Sequence, residues 1–147
     1  MNALEADDLV AKGIAALEND HFHLALVCFE RAAEYGQTPI VSSGLGYSLA
    51  AAQKEVDRGL ALCREAVAQE PENVVLYRNL GSVLLLAGNN HEAIEAFRAG
   101  LRIGKDDGII RKLDSLGTRT PPLFPSLGRK HLLNRTLGMI LARLGFR

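Results

Sequence analysis

The chain has 147 residues, of which 48% are hydrophobic and 23% charged, as is ordinary for one small globular domain. The formal net charge is zero, but residues 1–104 carry eight Lys/Arg against 14 Asp/Glu, and residues 105–147 carry nine against three. A domain that is not basic overall argues against nucleic-acid binding. No apolar run approaches the roughly 18 residues of a membrane span, and acidic residues stand where a signal peptide would be basic. We therefore expect a cytoplasmic protein.

Three sets of positions recur at a spacing of 34 residues: Ala25, Gly59 and Ala93; Phe29, Cys63 and Phe97; and Ala32, Ala66 and Gly100. Within a unit these positions stand at i, i+4 and i+7, which places them on one face of an amphipathic helix. The glycines of the preceding helices, Gly13, Gly46 and Gly81, are 33 and 35 residues apart. That difference predicts one extra residue in the inner turn of the middle unit. A helical hairpin cannot bury both of its faces alone, so the spacing indicates a stack of repeats.

At these residues the sequence resembles the tetratricopeptide repeat, a 34-residue helix–turn–helix unit with small residues where its helices touch. The match covers about residues 6–105 and includes Pro71, which closes the second unit. It departs from the family pattern in the first helices, where only Tyr77 fits an aromatic position. Gly59 and Cys63 are further departures, and they predict looser packing in the second unit. The resemblance implies an all-α, right-handed α-solenoid of three helical hairpins.

The hairpins occupy residues 4–104, with repeats at about 6–38, 39–73 and 74–105. The first helix spans residues 4–18, and the second follows the turn at residues 19–21. Thr38 caps the third helix, and Pro39 takes its first position, where the missing N–H costs nothing. The fourth helix spans residues 58–69. Asn73 caps the fifth helix, and Gly88 ends it before the sixth, which runs to residue 103.

The pattern changes after residue 104. Residues 106–117 have apolar side chains at helical spacing and predict a short capping helix, because a solenoid needs a terminal element with a polar outer face. Residues 118–126 contain three prolines and predict an extended linker. Residues 127–145 predict a basic amphipathic helix.

No pattern indicates catalysis, a metal or a cofactor. His21, His23 and His91 are the one group suggestive of a metal, but histidines two apart on a helix point in different directions and nothing completes a four-ligand set. The helical glycines follow no strand and open no phosphate-binding loop. Cys28 and Cys63 predict buried, reduced thiols, since free cysteine behaves as a small hydrophobic residue. We expect the chain not to be an enzyme.

The resemblance also implies where a partner binds, because first helices line the concave surface in this family. Registering each unit on its glycine places ten residues in that groove: Asp7, Val10, Ile14, Leu17, Ser43, Tyr47, Ala50, Arg78, Ser82 and Leu85. Some relatives hold a C-terminal carboxylate with Lys, Arg and Asn there, whereas this chain has Val10 and Ile14. A mostly apolar groove flanked by acids favours an amphipathic helix or an extended apolar peptide with basic flanks. Alternatively, Val10, Ile14 and Leu17 are core between helices.

These features predict a non-catalytic protein–protein interaction module, a scaffold, adaptor or chaperone-like protein that holds a peptide or helix in the groove. The final helix leaves three interpretations open. It packs on protein, in its own groove or in a second subunit; it anchors a peripheral membrane adaptor at an anionic surface; or it contacts nucleic acid. Leu132 and Met139 interrupt its polar face, which disfavours the membrane, and it has no aromatic residue to stack on bases.

Overall fold

A computed structural model describes residues 3–117, which form seven α-helices and no strand. The helices are α1 (Ala3–Glu18), α2 (Phe22–Ala33), α3 (Pro39–Gln53), α4 (Val56–Gln69), α5 (Val74–Leu86), α6 (Asn90–Ile103) and α7 (Asp107–Ser115). Consecutive helices pair as α1–α2, α3–α4 and α5–α6, and the pairs stack through α2–α3, α3–α5 and α4–α5 contacts. The fold is therefore an all-α solenoid of three helical hairpins.

The described residues as far as Leu113 form one compact unit, and a second unit begins at Asp114. The predicted linker at 118–126 and the predicted helix at 127–145 lie outside the described residues. Among the helices between residues 3 and 117, none is both long enough and apolar enough to cross a bilayer.

Side-chain caps fix where two of the first helices begin. The Val41 N–H donates to Thr38 Oγ1 at 3.5 Å, and Pro39 opens α3 immediately after this cap. The Val75 N–H donates to Asn73 Oδ1 at 3.2 Å at the start of α5. Each cap satisfies a backbone N–H that has no partner inside its helix. Both predicted caps are confirmed.

The turns inside the hairpins keep the 34-residue spacing. Asp20, Lys54 and Gly88 take the left-handed conformation, with φ of 58°, 65° and 79°. In the middle unit α3 continues for seven residues after Gly46, against five after Gly13 in α1 and five after Gly81 in α5. Two residues, 54 and 55, then separate α3 from α4, against three residues between the helices of each outer hairpin. The prediction of a longer inner turn is wrong, because the added length continues the helix and the turn itself is shorter.

Glycines allow the paired helices to approach closely at buried aromatic rings. Phe29 and Phe97 are both 0% exposed. A Cβ built on Gly13 would lie 2.8 Å from the Phe29 ring, and one built on Gly81 would overlap the Phe97 ring. Gly44 also faces Phe29 across the interface between α2 and α3. Each ring thus fills the space that the missing glycine side chain leaves, at the density of a close-packed core.

The middle hairpin packs backbone against backbone. A Cβ on Gly46 would lie 2.8 Å from the Gly59 carbonyl oxygen and 3.1 Å from Cys63 Sγ. The small residues at positions 59 and 63 therefore permit a closer approach than a bulky ring would. The prediction of looser packing in the second unit is wrong, since two facing glycines bring α3 and α4 into direct contact.

The short helix α7 packs on the third hairpin. Ile109 is 0% exposed, and its Cδ1 atom lies 2.9 Å from the position of a Cβ on Gly100. Ile109 thus fills the space beside Gly100 as Phe29 does beside Gly13. The role of α7 as the terminal cap of the solenoid stays a prediction.

Replacing Gly81 by alanine tests the close approach. Gly81→Ala should lower the free energy of unfolding by about 1–3 kcal/mol, because the new Cβ overpacks against Phe97 and outweighs the better helix propensity of alanine. Gly36→Ala is the matched control, since no atom lies within 4 Å of its Cβ position. Urea titrations followed by circular dichroism measure both changes. Equal stabilities for the two variants would contradict the packing described here.

Candidate functional site

The ten predicted groove residues lie on α1, α3 and α5 and differ in exposure. Asp7 is exposed, and Val10, Ile14, Arg78 and Leu85 are partly exposed. The other five are buried: Leu17, Ser43, Tyr47, Ala50 and Ser82. The accessible part of this first-helix face is thus formed mainly by α1 and by the end of α5.

Buried polar side chains on this face join the helices to each other. The Asn79 side-chain amide donates to Ser43 Oγ at 3.0 Å, which links α5 to α3. Ser82 Oγ donates to the Arg78 carbonyl at 2.8 Å. Sequence reasoning missed Asn79, although a polar residue directly before Leu80 and Gly81 on an apolar helix is a signal for such a bond. Ser43 thus contributes to the contact between α3 and α5, whereas the Ser82 bond lies within α5.

Asp7 and Val10 line a cleft between α1 and the start of α3. Its apolar lining includes Ile40 and Val41, and Glu70 at the end of α4 closes its rim. The full lining is Ala6, Asp7, Val10, Ala32, Tyr35, Gly36, Thr38, Ile40, Val41 and Glu70, which we call the edge cleft. Ile40 was missed, yet it stands six residues before Gly46, as Asp7 stands six before Gly13. The same registration would have found it.

Arg78 connects three parts of the solenoid. Its Nη1 atom lies 3.1 Å from Glu18 Oε1 at the end of α1 and 3.2 Å from Asp106 Oδ2 before α7. Asp106 Oδ1 also accepts the Ile109 N–H at 2.9 Å, so the same carboxylate caps α7. The Arg78 and Asp106 side chains are 12% and 8% exposed, whereas Glu18 is 45% exposed. We call these three side chains the Arg78 bridge.

Tyr47 is enclosed by the chain's own side chains. Its ring centroid lies 5.7 Å from that of Phe22 at the start of α2, with the two planes at 56°. Lys112 of α7 places Nζ 5.7 Å from the Tyr47 ring centroid and 3.5 Å from its hydroxyl oxygen. Such a cation over an aromatic face is attractive. Together with the Arg78 bridge, these contacts fill the middle of the first-helix face.

Reactive groups do not converge on this face. Cys28 and Cys63 are free and buried, as predicted. Burial raises the pKa of the Cys63 thiol from 9.0 to about 12, so it is not a thiolate at neutral pH. Within residues 3–117, no three His, Cys, Asp or Glu side chains come together as metal ligands would.

Comparison with known families agrees with this geometry. Family models of the tetratricopeptide repeat match residues 10–74 and residues 50–113. The chain belongs to the tetratricopeptide-repeat family. The family predicted from the sequence is thereby confirmed. A search of curated proteins found no match.

Solved structures of tetratricopeptide-repeat domains share the fold. The domain of Sgt2 from Aspergillus fumigatus has a TM-score of 0.59 and 20% identity, over 78% of this chain and 78% of that chain. The second such domain of human RPAP3, solved in complex with the HSP70 peptide SGPTIEEVD, has a TM-score of 0.55 and 14% identity, over 79% and 98% of the two chains. At these identities the likeness is one of fold.

Removing the Arg78 guanidinium tests the bridge. Arg78→Met leaves the nearly buried Asp106 carboxylate without a counter-charge and should lower the free energy of unfolding by about 1–3 kcal/mol. Arg64→Met is the matched control, because Arg64 pairs with Glu92 at 3.4 Å and both side chains are 56% exposed. That change should stay within about 0.5 kcal/mol. Equal losses in chemical denaturation would refute a special role for Arg78.

The Cys63 thiol should make stability depend on pH in alkaline solution. The unfolded chain loses this proton near pH 9.0, whereas the folded chain keeps it until about pH 12. The unfolded state therefore binds fewer protons, and the free energy of unfolding falls as the pH rises through this interval. Cys63→Ala should show a shallower fall between pH 9 and 10.5 in urea titrations. If the free energy of unfolding of Cys63→Ala fell as steeply with pH as that of the unsubstituted protein, the buried thiol would not be the cause of the fall.

Proposed function

We propose that this tetratricopeptide-repeat protein is a non-catalytic interaction module that holds a peptide or an amphipathic helix on its first-helix face. The accessible apolar residues of that face, Val10, Ile14 and Leu85, carry the proposal, and the edge cleft adjoins them at Asp7 and Val10. A binding surface needs such concave apolar area with a few polar groups for orientation. The five buried groove residues then act as the support beneath it.

The accessible apolar residues suit a ligand with apolar anchors. Val10 and Ile14 stand one turn apart on α1, and both are partly exposed. Leu85 adds a third accessible apolar side chain near the end of α5. Covering the exposed part of each side chain contributes about 1 kcal/mol, less than for full burial. Several such contacts are needed, which favours a segment that follows the face over a small molecule.

The charged residues around the edge cleft indicate which charges a ligand carries on either side of its apolar residues. The human RPAP3 domain is solved with a peptide that ends in Glu-Glu-Val-Asp. Here Asp7 and Glu70 stand at the edge cleft, and Arg78 already pairs with two carboxylates. An acidic peptide would meet like charges at the rim. We therefore assign this face a ligand with basic flanks.

The predicted helix at 127–145 adds two alternatives. In one, it occupies the groove or joins a second subunit. In the other, it anchors a peripheral membrane adaptor, and Arg129, Lys130 and Arg135 would attract anionic lipid. Co-sedimentation of the full chain with anionic liposomes separates them, using glutamine at these three positions as the comparison. Sedimentation that persists unchanged after the substitutions would rule out electrostatic anchoring by these cations.

Acidic substitutions on the first-helix face test the proposed function. Ile14→Glu together with Leu85→Glu should abolish partner capture in pull-downs from the native host, because two charges replace the apolar contacts of the ligand. Leu24→Glu together with Val27→Glu is the matched control, since both residues are exposed on α2, at 55% and 52%. Circular dichroism should show unchanged helicity in both variants. Capture that survives the first pair, or is lost equally in the second, would show that the face is wrongly assigned.

A further inference from the structure

The edge cleft continues on both sides along the edge where the hairpins are joined. It shares Tyr35 with a cleft between α1 and the end of α2. It shares Glu70 with a cleft around Pro71 and Val74 at the turn from α4 to α5. Each shared side chain separates two neighbouring clefts, so the three follow one another in a row along this edge. We call this row of clefts the edge track.

The rim of the edge track is strongly acidic. Six carboxylate residues line it, Glu5, Asp7, Asp8, Glu34, Glu70 and Glu72, and Arg31 is the one cation among its described lining residues. Asp8 pairs with Lys12. Within residues 3–117, Asp7, Glu34 and Glu72 make no ion pair. Each of these carboxylates can pair with a cation of a ligand.

Apolar surface alternates with the acids along the path. Between Asp7 and Glu70 lie Val10, Ile40 and Val41, and Val41 is only 3% exposed. Beyond Glu70, the lining includes Pro71 and Val74. A ligand that follows the path therefore meets carboxylates, then apolar side chains, then carboxylates again.

The order of acidic and apolar residues along the edge track favours one class of ligand over others. Phosphate groups of nucleic acid or of an anionic membrane would be repelled by the rim. A helical ligand presents one apolar stripe, whereas an extended segment advances about 3.3 Å per residue with side chains on alternate sides. An extended segment can thus turn cations to the rim and an apolar side chain to the floor. Exposed ion pairs are individually weak, so recognition needs several along the path.

We propose that the edge track docks an extended segment of a partner protein in which Lys or Arg residues flank an apolar side chain. The inference rests on the proposed function to the extent that Asp7 and Val10 belong to both surfaces. Glu34 and Glu72 belong to the edge track and to none of the predicted groove positions. They allow the two surfaces to be tested separately.

The test measures fluorescence anisotropy of a short labelled peptide with arginines on both sides of a leucine pair. The full-length protein should bind it, should not bind the same peptide with glutamates for arginines, and should bind less tightly as salt screens the charges. Glu34→Lys together with Glu72→Lys should weaken binding about tenfold. Asp57→Lys together with Glu95→Lys makes the same change in net charge at exposed sites outside the edge track. That control should leave the affinity unchanged.

Three results would overturn the inference. Equal weakening by both pairs of charge reversals would indicate long-range attraction without a site. Loss of binding only with Ile14→Glu and Leu85→Glu would place the peptide on the first-helix face, which keeps the proposed function and removes this one. Binding that appears only after Arg129, Lys130 and Arg135 are replaced by glutamine would indicate that the chain's own basic segment, and not a partner, occupies the edge track. Loss only with Glu34→Lys and Glu72→Lys supports the edge track independently of the groove.

Discussion

The structure depends on how closely the two helices of each hairpin can approach. In the outer hairpins a glycine of the first helix faces a fully buried phenylalanine of the second. In the middle hairpin Gly46 faces Gly59 directly. These contacts fix the separation of the helices, and the 34-residue spacing of the inner turns then repeats it. Because a glycine of every first helix lies at the contact with its partner helix, α1, α3 and α5 present one common face, and any surface for a partner follows from that arrangement.

On the common face, contacts within the fold compete with the proposed binding for the same residues. Ser43 and Tyr47 are buried in contacts that join α3 to α5 and to α7. The Arg78 bridge adds a contact between residues that are 60 positions apart. Buried polar contacts of this kind contribute to a unique arrangement when every partner is satisfied, and they are costly when one is removed. The middle of the face is therefore structural, and the proposed binding uses its accessible margins.

Much of the fold was predictable because it is local. The spacing of small and aromatic residues predicted the hairpins, and the capping residues Thr38 and Asn73 predicted where α3 and α5 begin. The inner turn of the middle unit was mispredicted because glycine spacing reports helix contacts, whereas the left-handed residue at position 54 sets the turn. Registration on the glycines predicted which helices carry the ten groove residues, but it did not predict that five of them are buried. The Tyr47 hydroxyl, for example, contacts Lys112, which lies 65 residues further along the chain. No local sequence pattern encodes a contact between residues so far apart in the chain.

The distribution of charge completes the argument about partners. Residues 1–104 have a net charge of −6, and the described clefts at the joined edge of the hairpins concentrate six carboxylates. Surface charges contribute little to stability, so these acids can vary without loss of the fold. They do affect the rate and selectivity of association, because complementary potentials steer encounter and like charges exclude wrong partners. The glycine and phenylalanine contacts thus determine that the chain is a solenoid, and the proposed selectivity for basic ligands rests on the acidic margin, which those contacts leave unconstrained.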